Sequence, residues 1–496
     1  MEKSLPLHLQ DIIFASADKA ISRRISLAEK AGEIKKIAPR LYTGKLDKEP
    51  ADLIRRNIYQ ILGTQYEGAV LSHRSSLEFM PTESGSLFLT YTYTKKIELP
   101  GIILRILEGP GPIQGDNKFR GELYVSQEAR AYLENMQVAK RSGGDSKTLP
   151  IKEIEEKLEK KIRVHGEAAV NALRDKAREI APILRMEKEF KKLNELISSL
   201  LTTHTPKGLI SASAKARAIG IPFDSDRLQL FELFFAELQQ HDFKNRPDRN
   251  ITDKSFNNFA FYESYFSNYI EGTKFSIDEA KEIIETQRPM AARNEDSHDI
   301  LGTFQLVSNR QEMKTTPQDG THLLDILKYR HKILLSARKD KYPGQFKEKV
   351  NFAGDTQFVD PELVRGTLIK AFDYYNQIRS PFAKAIFMMF MVSETHPFED
   401  GNGRIARVMM NAELVAGGQS KIMIPNVFRD DYIGALRRLT RKSAPAPYIK
   451  MMLRAYEFSE NVYGDNRDEM EAYLRSCNAF YEDTEGKILQ ITPREK

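Results

Sequence analysis

The stretch Ser393–Asn411, SETHPFEDGNGRIARVMMN, decides how the second half of the chain folds. It follows PFAKAIFMMFMV at 381–392, apolar nearly all round and so expected as a buried helix. Proline disfavours helical geometry in the residue before it, so Pro397 should end that helix at about His396. His396 then faces a turn, with Phe398 anchoring the turn in the core. Asp400 and Gly401-Asn402-Gly403 come next, and then a new amphipathic helix with Ile405, Val408 and Met409 inward.

This layout carries chemistry. Two glycines at a helix N-terminus let the backbone approach a ligand closely and leave N–H groups pointing outward. That is an anion site, favoured by the helix dipole. Arg404 and Arg407 are three apart and share one face of the new helix, adding fixed positive charge. Asp400 is a hard oxygen ligand suited to Mg²⁺ bound together with phosphates. His396 is a titratable base beside them. A base, a carboxylate, an anion nest and two arginines so close in sequence are the parts for phosphoryl or nucleotidyl transfer.

HPFEDGNGRIAR, His396 to Arg407, resembles position for position the Fic-domain signature His-x-Phe-x-(Asp/Glu)-Gly-Asn-Gly-Arg-x-x-Arg. The resemblance implies a small α-helical core holding this loop, and transfer of AMP from ATP to a protein hydroxyl (Ser, Thr or Tyr) with release of pyrophosphate. In that family His396 would be the general base and Asp400 the Mg²⁺ ligand. Gly401, Asn402 and Gly403 would cradle the phosphates, with Arg404 and Arg407 on the β- and γ-phosphates. A family branch with a different Gly-Asn-Gly region phosphorylates instead. The intact run here argues for AMP transfer.

Two further segments agree. In YPGQFKEKVNFAGDTQFVDPELV the alternation around Val350 and Phe352 predicts a hairpin. Pro343-Gly344, Gly354 and Pro361 resemble the landmarks of the Fic flap, which pairs edge-to-strand with the target segment through backbone hydrogen bonds. Its end, Phe352, Ala353, Gly354 and Asp355, would border the nucleotide. Tyr432 in RDDYIGAL stands where the family often has an adenine-side aromatic. Thr440, eight residues on, replaces an Asn that some members carry.

Upstream, Phe259, Tyr262, Phe266 and Tyr269 recur at steps of three or four, an amphipathic helix packed on the core. It ends Ser267-Asn268-Tyr269-Ile270-Glu271-Gly272, which resembles the Fic inhibitory motif (Ser/Thr)-x-x-x-Glu-(Gly/Asn). Glu271 would pair with Arg407 and occupy the place of a γ-phosphate. Ser267 would help fix the helix end. Ser276 to Glu279 reads as a capping box opening the next helix, which supports a break at Gly272.

The chain has 496 residues, 41% apolar and 29% charged, an ordinary folding composition for several domains. Its single cysteine, Cys477, excludes an internal disulfide framework and a multi-Cys zinc site. The longest apolar run, Ala385 to Val392, is far short of the about 20 residues of a membrane span. The N-terminus lacks a signal-peptide layout, so a cytoplasmic protein with no membrane partner is expected.

Residues 1–45 hold nine Lys/Arg against five Asp/Glu. Helical spacing of Leu9, Ile12, Ile13 and Ala17 predicts a helix over 7–19. A second helix over 25–30 and a hairpin in GEIKKIAPRLYTG should follow, the outline of a winged helix. KAGEIKKIAPRLYTG resembles AbiEi-type antitoxins and related regulators, which implies a DNA partner. Arg23, Arg24, Lys30, Lys35, Lys36 and Arg40 could then contact phosphates. His73 and His165 sit in no metal-ligand motif.

The expected fold class is mainly α: an all-helical Fic core with a β-hairpin flap, preceded by a winged-helix module and a small α+β region. The divisions are 1–52 winged-helix-like, 53–138 α+β, 150–242 helical and connecting, 243–456 Fic with its inhibitory helix, and 457–496 a helical tail. The expected activity is Mg²⁺-dependent, ATP-using protein adenylylation held low by Glu271. The target would be another protein or the chain itself, with a homo-oligomer left open. The alternatives are a DNA-binding regulator that uses the Fic domain as a nucleotide sensor, and removal of AMP from a modified protein.

Overall fold

The computed structural model describes residues 6–139, 145–201, 209–354, 356–482 and 485–494. The chain forms two compact units, Met1–Ile219 and Gly220–Lys496. Helices dominate, as expected, and small sheets are confined to the first unit and the flap. No helix among the described residues is long and apolar enough to cross a membrane.

The first unit begins differently from the expected helix–helix–hairpin. Leu7–Leu9 is a single 3₁₀ turn and Ile13–Phe14 a strand, pairing with Tyr42 and Leu41. One helix follows, Lys19–Lys30. The physical reason is Asp18, whose carboxylate accepts from the N–H groups of Ala20 and Ile21 at 2.8 and 2.9 Å and starts the helix there. The adjacent buried pair Ile12 and Ile13 suits a strand better than a helix face. The hairpin does form, Lys35–Ala38 with Leu41–Thr43, as part of a three-stranded sheet. Arg23, Arg24, Lys30, Lys36 and Arg40 are exposed. Lys35 instead donates to the carbonyls of Leu46 and Lys48.

A six-stranded mixed sheet comes next, in the order 95–99, 102–108, 86–91, 70–71, 123–125, 117–120. Helix Pro50–Gln65 covers it with Leu53, Ile54, Ile58, Ile61 and Leu62, so the expected boundary at 52/53 would cut a helix. His73 is buried, with its ring nitrogens beside Ser72 and Gln137, and His165 is exposed. Ile151–Leu184 breaks internally at Gly166, where φ is 78°. With Glu187–Leu200 it packs on Tyr132 and Leu133 of helix Glu128–Asn135.

The second unit is the helical core. Helix Ser225–Leu238 belongs to it through Leu230, Phe231, Phe234 and Leu238, so this unit begins at Gly220, earlier than the expected 243. At its centre runs Pro381–Thr395, with every residue from Ala385 to Val392 buried. Asn402–Ala416 and the aromatic helix Asp253–Ile270 pack beside it, and Arg429–Lys442 covers a further side. The flap strands Phe352–Ala353 and Thr356–Gln357 pair antiparallel across Gly354 at φ +59°. Asp355 lies outside the described residues.

Candidate functional site

The turn between the two central helices is built by its own residues. Helix Pro381–Thr395 ends at His396, which takes the left-handed conformation (φ 51°, ψ 61°) just before Pro397. Its Nδ1 lies 3.1 Å from the Ser393 carbonyl. A carbonyl only accepts, so Nδ1 carries the proton and Nε2 is left with its lone pair. The ring stacks on Phe358 at 3.8 Å and 7°. Burial lowers the His396 pKa to about 4, with the charge of Lys347 helping, so the imidazole is neutral at pH 7. The Lys347 ammonium is itself held down to about 8 by burial and donates to Asn351, while the Lys347 backbone N–H donates to the Pro397 carbonyl.

Asn402 is buried and closes the turn. Its Oδ1 accepts from the Phe398 N–H at 2.9 Å and its Nδ2 donates to the Phe398 carbonyl at 2.8 Å. Its side chain therefore fastens the loop rather than facing a phosphate. Gly401 needs its φ of 73°, and a Cβ there would press on Leu335 and Leu334 at 3.0 and 3.2 Å. His331 holds the turn from below. It stacks on Phe398 at 3.7 Å, accepts from the Gly344 N–H at Nδ1, and donates from Nε2 to the Asp400 carbonyl at 3.0 Å. Burial lowers its pKa to about 4 as well.

The two arginines part company. Arg404 turns to Asp299 at 2.7 Å, and Asp299 is also gripped by Arg338 at 2.8 Å. Both Arg404 and Asp299 are buried. Arg407 faces the aromatic helix. Its Nε donates to the Ser267 hydroxyl (3.0 Å), and its Nη2 to the Ser267 carbonyl (2.9 Å) and the Glu271 carboxylate (2.6 Å). The Tyr432 hydroxyl lies 3.5 Å from Nη1. Burial works against the Arg407 charge, but Glu271 and Tyr432 outweigh it and the pKa rises. Ser267 thus bonds the arginine in addition to standing near the helix end. Glu271 caps that helix, Gly272 follows at φ +94°, and the Ser276–Glu279 capping box forms.

A cavity of about 430 Å³ lies between these elements. Of the expected residues, His396, Gly403, Arg407, Glu271, Gly272, Ala353 and Tyr432 line it. Phe352 is 63% exposed and points away, because side chains alternate along a strand; Thr356 and Phe358 line the cavity instead. Gly403 lets Glu271 approach the helix start, since a Cβ there would collide with its carboxylate.

Asp400 is not among the residues lining the cavity, and 44% of its side chain is exposed. One of its oxygens accepts from the Gly401 N–H at 2.6 Å, and the other lies 3.9 Å from Arg404. No group of three or more His, Cys, Asp or Glu able to hold a metal occurs among the described residues. A single accessible carboxylate fits a Mg²⁺ ion that draws its other ligands from water and phosphates.

Sequence reasoning missed Asp299, Arg338, His331 and Phe358. Asp299, Arg338 and His331 lie in no local motif, and packing alone brings them to the loop. Phe358 lies in the flap stretch, four residues past Gly354, where an aromatic beside the hairpin was the available signal.

A fold of buried helices around this turn, with an arginine and a neutral histidine on one cavity, agrees with the profile of the Fic/DOC family, which matches residues 322–414. The chain belongs to that family. A Fido domain-containing protein of Dictyostelium discoideum is 35% identical over 103 residues, 20% of this chain and 72% of that one. A protein adenylyltransferase Fic of Nematostella vectensis is 25% identical over 212 residues, 41% of this chain; the chain spans 48% of that relative. Among solved structures, a Caenorhabditis elegans Fic-1 fragment aligns over 64% of this chain and 99% of its own, at 15% identity and a TM-score of 0.37.

Proposed function

We propose that this protein transfers AMP from ATP to a hydroxyl side chain of a protein, and that Glu271 keeps the activity low. The observation that carries the reading is the arrangement about one cavity of a neutral His396 with a free Nε2 and of Arg407 held by Glu271 at 2.6 Å. Relatives named protein adenylyltransferase support the reaction class.

In this reading the target hydroxyl gives its proton to Nε2 of His396 as its oxygen attacks the α-phosphorus of ATP. The bond from that phosphorus to the bridging oxygen breaks and pyrophosphate leaves. The N–H groups at the start of helix Asn402–Ala416 and the Arg407 guanidinium receive the polyphosphate charge. Mg²⁺, held by Asp400 with phosphate oxygens, would supply charge neutralisation. Glu271 must leave Arg407 before a γ-phosphate can take its place, so ATP meets a competing carboxylate. Arg404, tied to Asp299, holds the loop in shape rather than waiting free for a phosphate.

The test is incubation of wild type, Glu271→Gly and His396→Ala with labelled ATP, Mg²⁺ and a cell lysate, followed by mass spectrometry. Labelling should rise with Glu271→Gly and vanish with His396→Ala. Labelling that survives loss of His396 would overturn the assignment. An AMP-modified product returned to the wild type reads the reverse reaction.

A further inference from the structure

Arg227 has no part in the chemistry above, yet it reaches the two elements that must be aligned for it. It lies in the first turn of helix Ser225–Leu238. The start of that helix is fixed by Asp224. Its carboxylate accepts from the N–H groups of Asp226 and Arg227, and its own N–H donates to the Thr367 hydroxyl at 2.9 Å. From this anchored position the Arg227 Nη2 donates to the Gln357 carbonyl, in the second strand of the flap, at 2.6 Å. Its Nε lies 3.0 Å from Oε1 of Glu394, two residues before His396.

Glu394 is 3% exposed, and its other oxygen accepts from the Thr440 hydroxyl at 2.6 Å. A buried carboxylate needs a cation nearby, and Arg227 is the cation paired with it. Two further contacts act on the same strand. The Arg441 Nε donates to the Thr356 hydroxyl at 3.0 Å, and the Phe358 ring stacks on His396. Three consecutive residues are therefore each tied down: Thr356 to helix Arg429–Lys442, Gln357 to Arg227 and Phe358 to the base itself.

We propose that Arg227 is a positioning residue: by bridging the Gln357 carbonyl and the Glu394 carboxylate, it sets the register of the flap against His396, so that a segment docked on the flap presents its hydroxyl to Nε2. The docking half of this inference rests on the transfer reading above; the bridge itself does not. The guanidinium donates from Nη2 to the Gln357 carbonyl while its Nε edge stands against Glu394 as an ion pair without an aligned hydrogen bond. A lysine ammonium can keep a charge beside Glu394 but has no second nitrogen to reach the carbonyl. Arg227→Lys should thus keep the fold and lose the register.

The experiment uses the full chain carrying Glu271→Gly, alone and with Arg227→Lys or Arg227→Gln. Backbone hydrogen exchange is followed over 352–358 and over the helices 381–395 and 402–416. Incorporation of labelled AMP into the chain itself is measured against ATP concentration. Both Arg227 variants should exchange about tenfold faster in the flap, with the two central helices unchanged. Incorporation at saturating ATP should fall about tenfold, with the KM for ATP within twofold. Unchanged flap exchange in both variants overturns the proposal, and so does faster exchange spread equally through the central helices. If the Glu271→Gly parent transfers AMP neither to itself nor to any protein of the lysate, the transfer reading fails. If it labels only lysate protein, that labelling replaces self-incorporation as the readout. In either case flap exchange alone decides whether Arg227 holds the strand.

Discussion

The carboxylate of Glu271 and the guanidinium of Arg407 meet at 2.6 Å, over the one residue of the loop, Gly403, whose missing side chain leaves room for the contact. The pair joins the end of one helix to the first turns of another, and each partner is placed by separate interactions. Arg407 is held by Ser267, and the Glu271 end of its helix is held by the Arg429 side chain on the Ile270 carbonyl at 3.2 Å. A carboxylate so fixed is a standing competitor for any anion at that helix start.

Substitutions at Glu271 separate charge from shape. Glu271→Gln keeps the volume and removes the charge, and Glu271→Gly removes both. Both should raise AMP incorporation, Glu271→Gly by tenfold or more and Glu271→Gln by less. Initial rates with labelled ATP measure this. Equal rates for wild type and both variants would remove the brake from the account.

Asp299 is the buried anion between Arg404 and Arg338. Asp299→Asn leaves the buried Arg404 facing a neutral amide, while Arg338 keeps Glu295 and Asp296, and breaking a buried ion pair by removing one partner typically costs about 3 kcal/mol or more. The expected result is a loss of that order in a urea unfolding curve. The chain has no tryptophan, so far-ultraviolet circular dichroism is the signal. A change below about 0.5 kcal/mol, the scale of an ordinary surface substitution, would show that Asp299 does not hold the loop.

His331 carries a pH dependence whose sign follows from its burial. In the folded chain it stays neutral down to about pH 4. Unfolded, a histidine takes its proton near pH 6.5. Between those values the unfolded state binds more protons, so stability falls as the pH falls. From pH 7 to 5 this one residue removes roughly 2 kcal/mol. His331→Gln, which can still accept from Gly344 and donate to Asp400, should lack that part of the loss. Urea curves at the two pH values compare them, and parallel losses in both proteins would count against the assignment.

The parts of the site readable in advance are those whose causes are local. Pro397 ends a helix, and Gly401 and Gly403 open the next, so the loop from His396 to Arg407 was legible residue by residue. The pairing of Glu271 with Arg407 was legible only through a motif that resembles a known one. Asp299, His331 and Arg227 were not, because each reaches the loop or flap across the packed core and nothing beside them in sequence marks their partners. The first helix was misread for a different reason. The helical spacing over 7–19 spans too few residues to outweigh Asp18, whose side chain decides where helix formation begins. The family resemblance implies a phosphate for Arg404; its pairing with Asp299 comes from packing and has no local sign in the sequence.

Gly403 offers a test of whether Glu271 and a nucleotide compete for one place. Its backbone is in the ordinary helical range, so alanine strains nothing there and slightly favours the helix. The cost lies in space. The added Cβ would collide with the Glu271 carboxylate and lie 3.2 Å from the Arg407 Nη1. In the Glu271→Gly background that carboxylate is gone, and the Cβ meets the flexible end of Arg407 and whatever binds in the carboxylate's stead. If a polyphosphate binds there, Gly403→Ala combined with Glu271→Gly should weaken ATP binding about tenfold relative to Glu271→Gly alone, read by calorimetry with Mg²⁺ present. If the nucleotide lies elsewhere in the cavity, the two proteins will bind ATP alike, and the competition between carboxylate and phosphate will have no common ground.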